Sequence, residues 1–78
     1  MREKKLWLIV TFHTTAAAMA MEKHCKACGI AGRLGPIPRE LSSDCGMAWR
    51  APTDCRAELE RLAAEHAIEV QEFTEHWI

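Results

Sequence analysis

The chain lacks an excess of charge of either sign. Its 78 residues carry 10 Lys and Arg against 11 Asp and Glu, a formal net charge of −1. The two signs are mixed along the sequence. No face is therefore announced for nucleic acid, and no polybasic tail for a membrane surface. The chain also lacks an apolar run approaching the ~20 residues of a membrane span. It has no low-complexity stretch, no linker, and no repeat beyond two β-α-β halves. No Ser-His-Asp set, Gly-rich phosphate loop or paired-carboxylate arrangement is present, which removes the usual signatures of hydrolases and phosphate-loop enzymes.

What is present suits one thin-cored domain over residues 1–78. Apolar residues make up 49% and charged ones 27%, which argues against disorder.

The first twenty residues have the outline of a secretory leader. Arg2, Lys4 and Lys5 precede the apolar run Leu6 to Val10, and Ala18-Met19-Ala20 resembles a small-x-small cleavage site. Thr11 and His13 interrupt that run early, and cleavage would remove the best strand. The segment is therefore expected to belong to the fold. Four cysteines are many for this length. In a secreted chain they would imply two disulfides; in a cytoplasmic one they imply metal, thiol chemistry or small buried hydrophobes.

Lys5 to Phe12 has the composition of a strand apolar on both faces. Thr14 and Thr15 offer an N-cap, Ala16 to Cys28 reads as helix, and Gly29 ends it. Ala18, Met21, Cys25 and Cys28 share one helical face. Ile30 to Gly35 reads as a second strand, broken by Pro36-Ile37-Pro38. Gly46 to Ala51 reads as a third, with Met47, Trp49 and Ala51 on one face. Pro52-Thr53-Asp54 opens a second helix, whose inward stripe is Cys55, Leu59, Leu62, Ala63 and His66. Ala67 to Phe73 reads as a fourth strand, with His76-Trp77-Ile78 trailing off. The order β-α-β-β-α-β predicts an α+β ferredoxin-like sandwich, a four-stranded antiparallel sheet with two helices on one face. Right-handed crossovers put strands one and three in the centre. The other face would leave Trp7 or its neighbours and Ala48 in the open, where a homodimer would cover them.

Three places could carry chemistry. The first is the connection Pro36 to Gly46, long for two adjacent strands and stiffened by two prolines. It holds Cys45, followed by Gly46, which leaves space beside the sulfur. Arg39 and Arg50 are close in sequence and would favour a thiolate, whereas Asp44 would oppose it. The bland alternative is a cysteine packed as a small hydrophobe, and position alone weighs the two evenly.

The second is His24-Cys25-Lys26-Ala27-Cys28-Gly29, the outline of a zinc knuckle or a redox dithiol. Its other half would be Cys45 and Cys55, a poor spacing. Core packing of Cys25 and Cys28 on the helical stripe is the stronger reading. The third is Cys55, where a helix N-terminus lowers a thiol pKa, although Cys55 also leads an apolar stripe. Strands one and three are read as parallel, which puts His13 and Cys45 at opposite ends of the sheet. That argues against a Cys-His pair.

Thr11-Phe12-His13-Thr14-Thr15, Glu22-Lys23, Gly29-Ile30 and above all Pro38-Arg39-Glu40-Leu41-Ser42-Ser43-Asp44-Cys45-Gly46 resemble the selenium/sulfur carrier protein-like family over nearly the whole chain. The resemblance implies cytoplasmic residence. It implies a chalcogen relay in which Cys45 carries sulfur or selenium, with Arg39, Ser42, Ser43 and Gly46 around it. The partners would be a cysteine desulfurase or selenium-donor enzyme and an acceptor protein. No cofactor is implied, and the role is a carrier's rather than a turnover enzyme's. Cys25, Cys28 and Cys55 match none of the family pattern. The rival is a zinc-stabilised or structural interaction module using Cys25, Cys28, Cys45 and Cys55. A third reading is a small regulatory domain with a ligand on its open sheet face, and nothing in the sequence names that ligand.

Overall fold

A computed structural model describes residues 4–78. Arg2, one of the charges in the leader-like outline, lies outside the described residues. The elements are β1 (Leu6–Phe12), α1 (Thr15–Cys28), β2 (Arg33–Pro36), β3 (Met47–Pro52), a 3-10 turn (Thr53–Cys55), α2 (Arg56–Glu65) and β4 (Val70–Trp77). The strands form one antiparallel sheet in the order β2-β3-β1-β4. This is the α+β, ferredoxin-like arrangement expected from the sequence. No helix among the described residues is long and apolar enough to cross a membrane.

The local chemistry explains the element ends. The Thr14 hydroxyl accepts the Ala17 amide at 3.1 Å and caps α1. Gly29 leaves the helix at φ +70°, where a side chain would be strained. Within the leader-like segment, Leu6–Phe12 form the central strand β1, and α1 begins at Thr15. Leu8, Val10 and Phe12 are fully buried against Met21, Trp49 and Leu59. Each large side chain in that layer contributes about 1.5–3 kcal/mol by leaving water.

Several expectations need correction. β1 and β3 are antiparallel, with Thr11 opposite Ala48 and Trp7 opposite Pro52. The α1 crossover returns β2 in the direction of β1, and the next connection reverses the chain. The end of β1 and the start of β3 therefore share one end of the sheet. β4 starts and ends later than expected, because it pairs with β1 as far as Leu6 opposite Trp77. Cys28 is exposed rather than packed on the stripe of α1, while Cys25 is fully buried. His66 is also exposed, and its ring stacks on His24 with centroids 3.7 Å apart.

The sheet face away from the helices is not bare. Ile9 is fully buried, and Ala48 is only 4% exposed. Pro36 and Pro38 line a cavity with both of them. Glu40, Leu41 and Ser42 face Thr11, Glu72, Thr74 and His76 across a groove of about 310 Å³. The β2–β3 connection thus lies across this face, and part of the cover assigned to a second copy comes from the chain itself.

Candidate functional site

The β2–β3 connection is a closed loop built from two turns. At its base the Ile37 amide donates to the Gly46 carbonyl at 3.1 Å. The Leu41 amide donates to the Pro38 carbonyl at 3.0 Å and closes the first turn. The Gly46 amide reaches the Ser43 carbonyl at 3.4 Å and closes the second. Ser at the first position and Gly at the fourth suit such a turn. Gly46 sits at φ +74°, so its role is backbone conformation as well as open space.

Cys45 occupies the second turn. Its thiol is half-buried and donates to the Met47 carbonyl at 3.6 Å. Ser43 braces the same turn, since its hydroxyl donates to the Met47 carbonyl at 3.2 Å and accepts the Gly46 amide at 3.0 Å. Asp44 fastens the turn to the sheet. Its carboxylate lies 2.7 Å from His13 Nδ1, and its amide donates to Gln71 Oε1 at 3.1 Å. His13 follows β1 and Gln71 lies in β4, so two strands hold one turn.

The structure gathers Ser43, Asp44, Cys45 and Gly46 with His13 and Gln71 at one end of the sheet. It does not gather every residue expected there. Arg39 is exposed in the first turn and has no ion pair among the described residues. Ser42 faces the groove shared with Thr11 and His76. Arg50 lies over the Trp7 ring, 5.5 Å from its centroid, and Trp7 stands opposite Pro52 at the far end of β3. A parallel pairing of strands one and three separates His13 from Cys45; the antiparallel pairing of β1 and β3 puts them at the same end. Gln71 carried no signal of its own.

The other thiols lie elsewhere. Cys55 follows the end of β3, and β3 spans ~20 Å at the usual rise per residue. Burial pushes the Cys25 thiol up to about 11, with the neighbouring thiols of Cys28 and Cys55 adding to the rise. Burial, Asp54 and Glu58 likewise push Cys55 up, opposite to what a helix N-terminus alone would do. Among the described residues no three His, Cys, Asp or Glu side chains are placed to hold a metal ion. The set Cys25, Cys28, Cys45 and Cys55 is not assembled, because Cys45 and Cys55 flank opposite ends of β3. All four cysteines are free.

The arrangement offers a half-exposed thiol on a braced turn, not engaged in a disulfide. The two segments that carried the sequence resemblance, residues 11–15 and 38–46, meet here through His13 and Asp44. A family model described as "Putative Se/S carrier protein-like" matches residues 8–75, and the chain belongs to that family. No curated protein and no solved structure matches it.

Proposed function

We propose that this member of the Se/S carrier protein-like family relays sulfur or selenium on Cys45 between partner proteins. The observation that carries the reading is the isolation of Cys45. It is a half-exposed, unbridged thiol on a doubly fastened turn, built from both family-like segments and set beyond the opposite end of β3 from Cys55.

The chemistry is an exchange without net oxidation. The Cys45 thiolate attacks the outer sulfur of a donor persulfide. The bond from Cys45 to that sulfur forms, and the donor's sulfur–sulfur bond breaks. The donor cysteine leaves as a thiolate and takes up the proton that Cys45 gave up. A second exchange passes the outer atom to an acceptor nucleophile and returns the Cys45 thiolate. A perselenide follows the same balance. The partners by chemistry are a cysteine desulfurase or selenium donor and an acceptor protein. The thiol must remain reduced between transfers, which suits the cytoplasm.

The test is loading by a cysteine desulfurase with isotopically labelled cysteine, read by intact mass. The wild type should gain one labelled sulfur. Cys28→Ser should gain the same, because Cys28 is the other exposed thiol. Cys45→Ser should gain none. Equal loading of Cys45→Ser and wild type, or no loading of either, overturns the reading.

A further inference from the structure

Three of the helix cations have carboxylate partners nearby. Arg56 Nε lies 3.2 Å from Glu60 and its Nη1 lies 3.4 Å from Glu75, Arg61 lies 3.8 Å from Glu65, and Lys26 lies 3.8 Å from Glu22. Arg33 and Arg50 on the sheet have no carboxylate within 4.0 Å among the described residues.

These two arginines are also directly opposed. Arg33 of β2 pairs in register with Arg50 of β3, so both side chains leave the same face of the sheet. Like charges directly opposite one another oppose strand pairing. The pair is exposed, and both residues line two adjoining hollows. One, of about 180 Å³, is completed by Ile9, Gly35, Pro36, Pro38 and Ala48. The other, of about 350 Å³, is completed by Trp7, Ala31, Gly32 and Pro52 and is mostly apolar. Lys5 Nζ stands 4.8 Å from the Trp7 ring centroid, adding a third cation at the margin.

We propose that the face formed by Arg33, Arg50 and Trp7 binds a phosphomonoester carried on a flat apolar body. A phosphate between the two guanidinium groups would accept parallel hydrogen bonds from each fork, a geometry that suits Arg better than Lys. Its two negative charges match the two positive ones of the opposed Arg33 and Arg50. The larger hollow has the size of a small-ligand site and an apolar wall beside those charges. Gly32 and Gly35 carry no side chain into these hollows. The smaller hollow reaches Pro38, the start of the loop that holds Cys45. The inference does not depend on what Cys45 carries.

Adenosine 5′-monophosphate, inorganic phosphate and adenosine serve as probes against the full chain, followed by NMR of the Trp7 indole and the Arg33 and Arg50 Nε–H signals. The monophosphate should shift all three saturably. Phosphate should shift the two arginine signals more weakly, and adenosine should shift none saturably. Arg33→Gln and Arg50→Gln should each weaken the monophosphate at least about tenfold, the loss expected for one charge-assisted bond. Arg33→Gln should also leave the ligand-free melting midpoint unchanged or higher, since it removes the like-charge opposition. That readout distinguishes a lost ligand contact from a damaged fold. The proposal is overturned if the monophosphate shifts nothing saturably, or if both variants bind it as the wild type does. It is equally overturned if only a polyglutamate peptide engages this face.

Discussion

His13 and Asp44 stand 31 residues apart in sequence and close to 2.7 Å in the fold, tying the end of β1 to the residue before Cys45. Both side chains are largely exposed, so the pair contributes at most about 1 kcal/mol to stability. Its consequence lies in placement, because the Asp44 amide makes a second tie to Gln71.

The first expectation follows from those two ties. His13→Ala should lower the melting midpoint by only a few degrees, the shift that about 1 kcal/mol gives a domain of this size. His13→Ala combined with Gln71→Ala should release the turn. Cys45 should then label several-fold faster with a thiol reagent, and the Gly46 amide should exchange faster. The idea fails if the double variant labels at the wild-type rate.

A second expectation concerns the ring stack of His24 and His66, with planes 12° apart. Burial holds His24 below the ordinary histidine value of 6.5, and the His66 ring and Lys23 add to the lowering. The unfolded chain therefore takes up a proton at His24 before the folded chain does. Stability is complete above pH 6.5 and falls as pH drops from there towards the folded value. Melting midpoints recorded between pH 7.5 and pH 5 should fall, and His24→Gln should flatten that fall. An unchanged slope in the variant would assign the loss to other groups.

Much of this architecture was legible in the sequence. The apolar run of β1, the Thr14 cap and the Gly29 stop each act through neighbouring residues, so local pattern finds them. The late start of β4 was not legible. Ala67 turns the chain at φ 52°, a conformation normally given to Gly or Asn. The Ile68 amide then closes on the Ala63 carbonyl at 2.9 Å and delays the strand. The tie from His13 to Asp44 depends on strand direction, which is a property of the whole topology. Cys28 is exposed for a third reason. The stripe of α1 runs past the edge of the core at its last turn, so helical spacing alone overstates its burial.

A third expectation comes from Cys25. Burial raises its thiol from the ordinary 9.0 to about 11, helped by Cys28 and Cys55. The unfolded chain releases that proton first as pH rises. The contribution to stability is whole below pH 9 and is lost between pH 9 and pH 11. Urea midpoints across that window should decline, and less so in Cys25→Ala. Under native conditions a thiol reagent should modify Cys28 and Cys45 and leave Cys25 and Cys55 until the chain unfolds. Rapid native labelling of Cys25 would contradict its burial.

The last expectation separates two glycines that both hold positive φ. Gly46, at +74°, has nothing within 4 Å of where a Cβ would stand. Gly46→Ala should therefore cost only the backbone term, about 1–2 kcal/mol. Gly32, at +138°, would set its Cβ 2.5 Å from Trp49 Nε1 and 2.7 Å from the Arg50 carbonyl. The Arg50 carbonyl belongs to the backbone of β3, and Trp49 is almost wholly buried, so neither neighbour can yield cheaply. Gly32→Ala should add an overpacking cost of about 1–3 kcal/mol to the backbone term. Urea denaturation should rank Gly32→Ala as the more damaging of the two. The functional effects should run the other way. Gly46→Ala alters the turn that holds Cys45 and should change its labelling rate while the protein stays folded. If Gly46→Ala proves the less stable variant, the clash at Gly32 is relieved cheaply; if it leaves Cys45 labelling untouched, the left-handed turn at Gly46 does not set the position of the thiol.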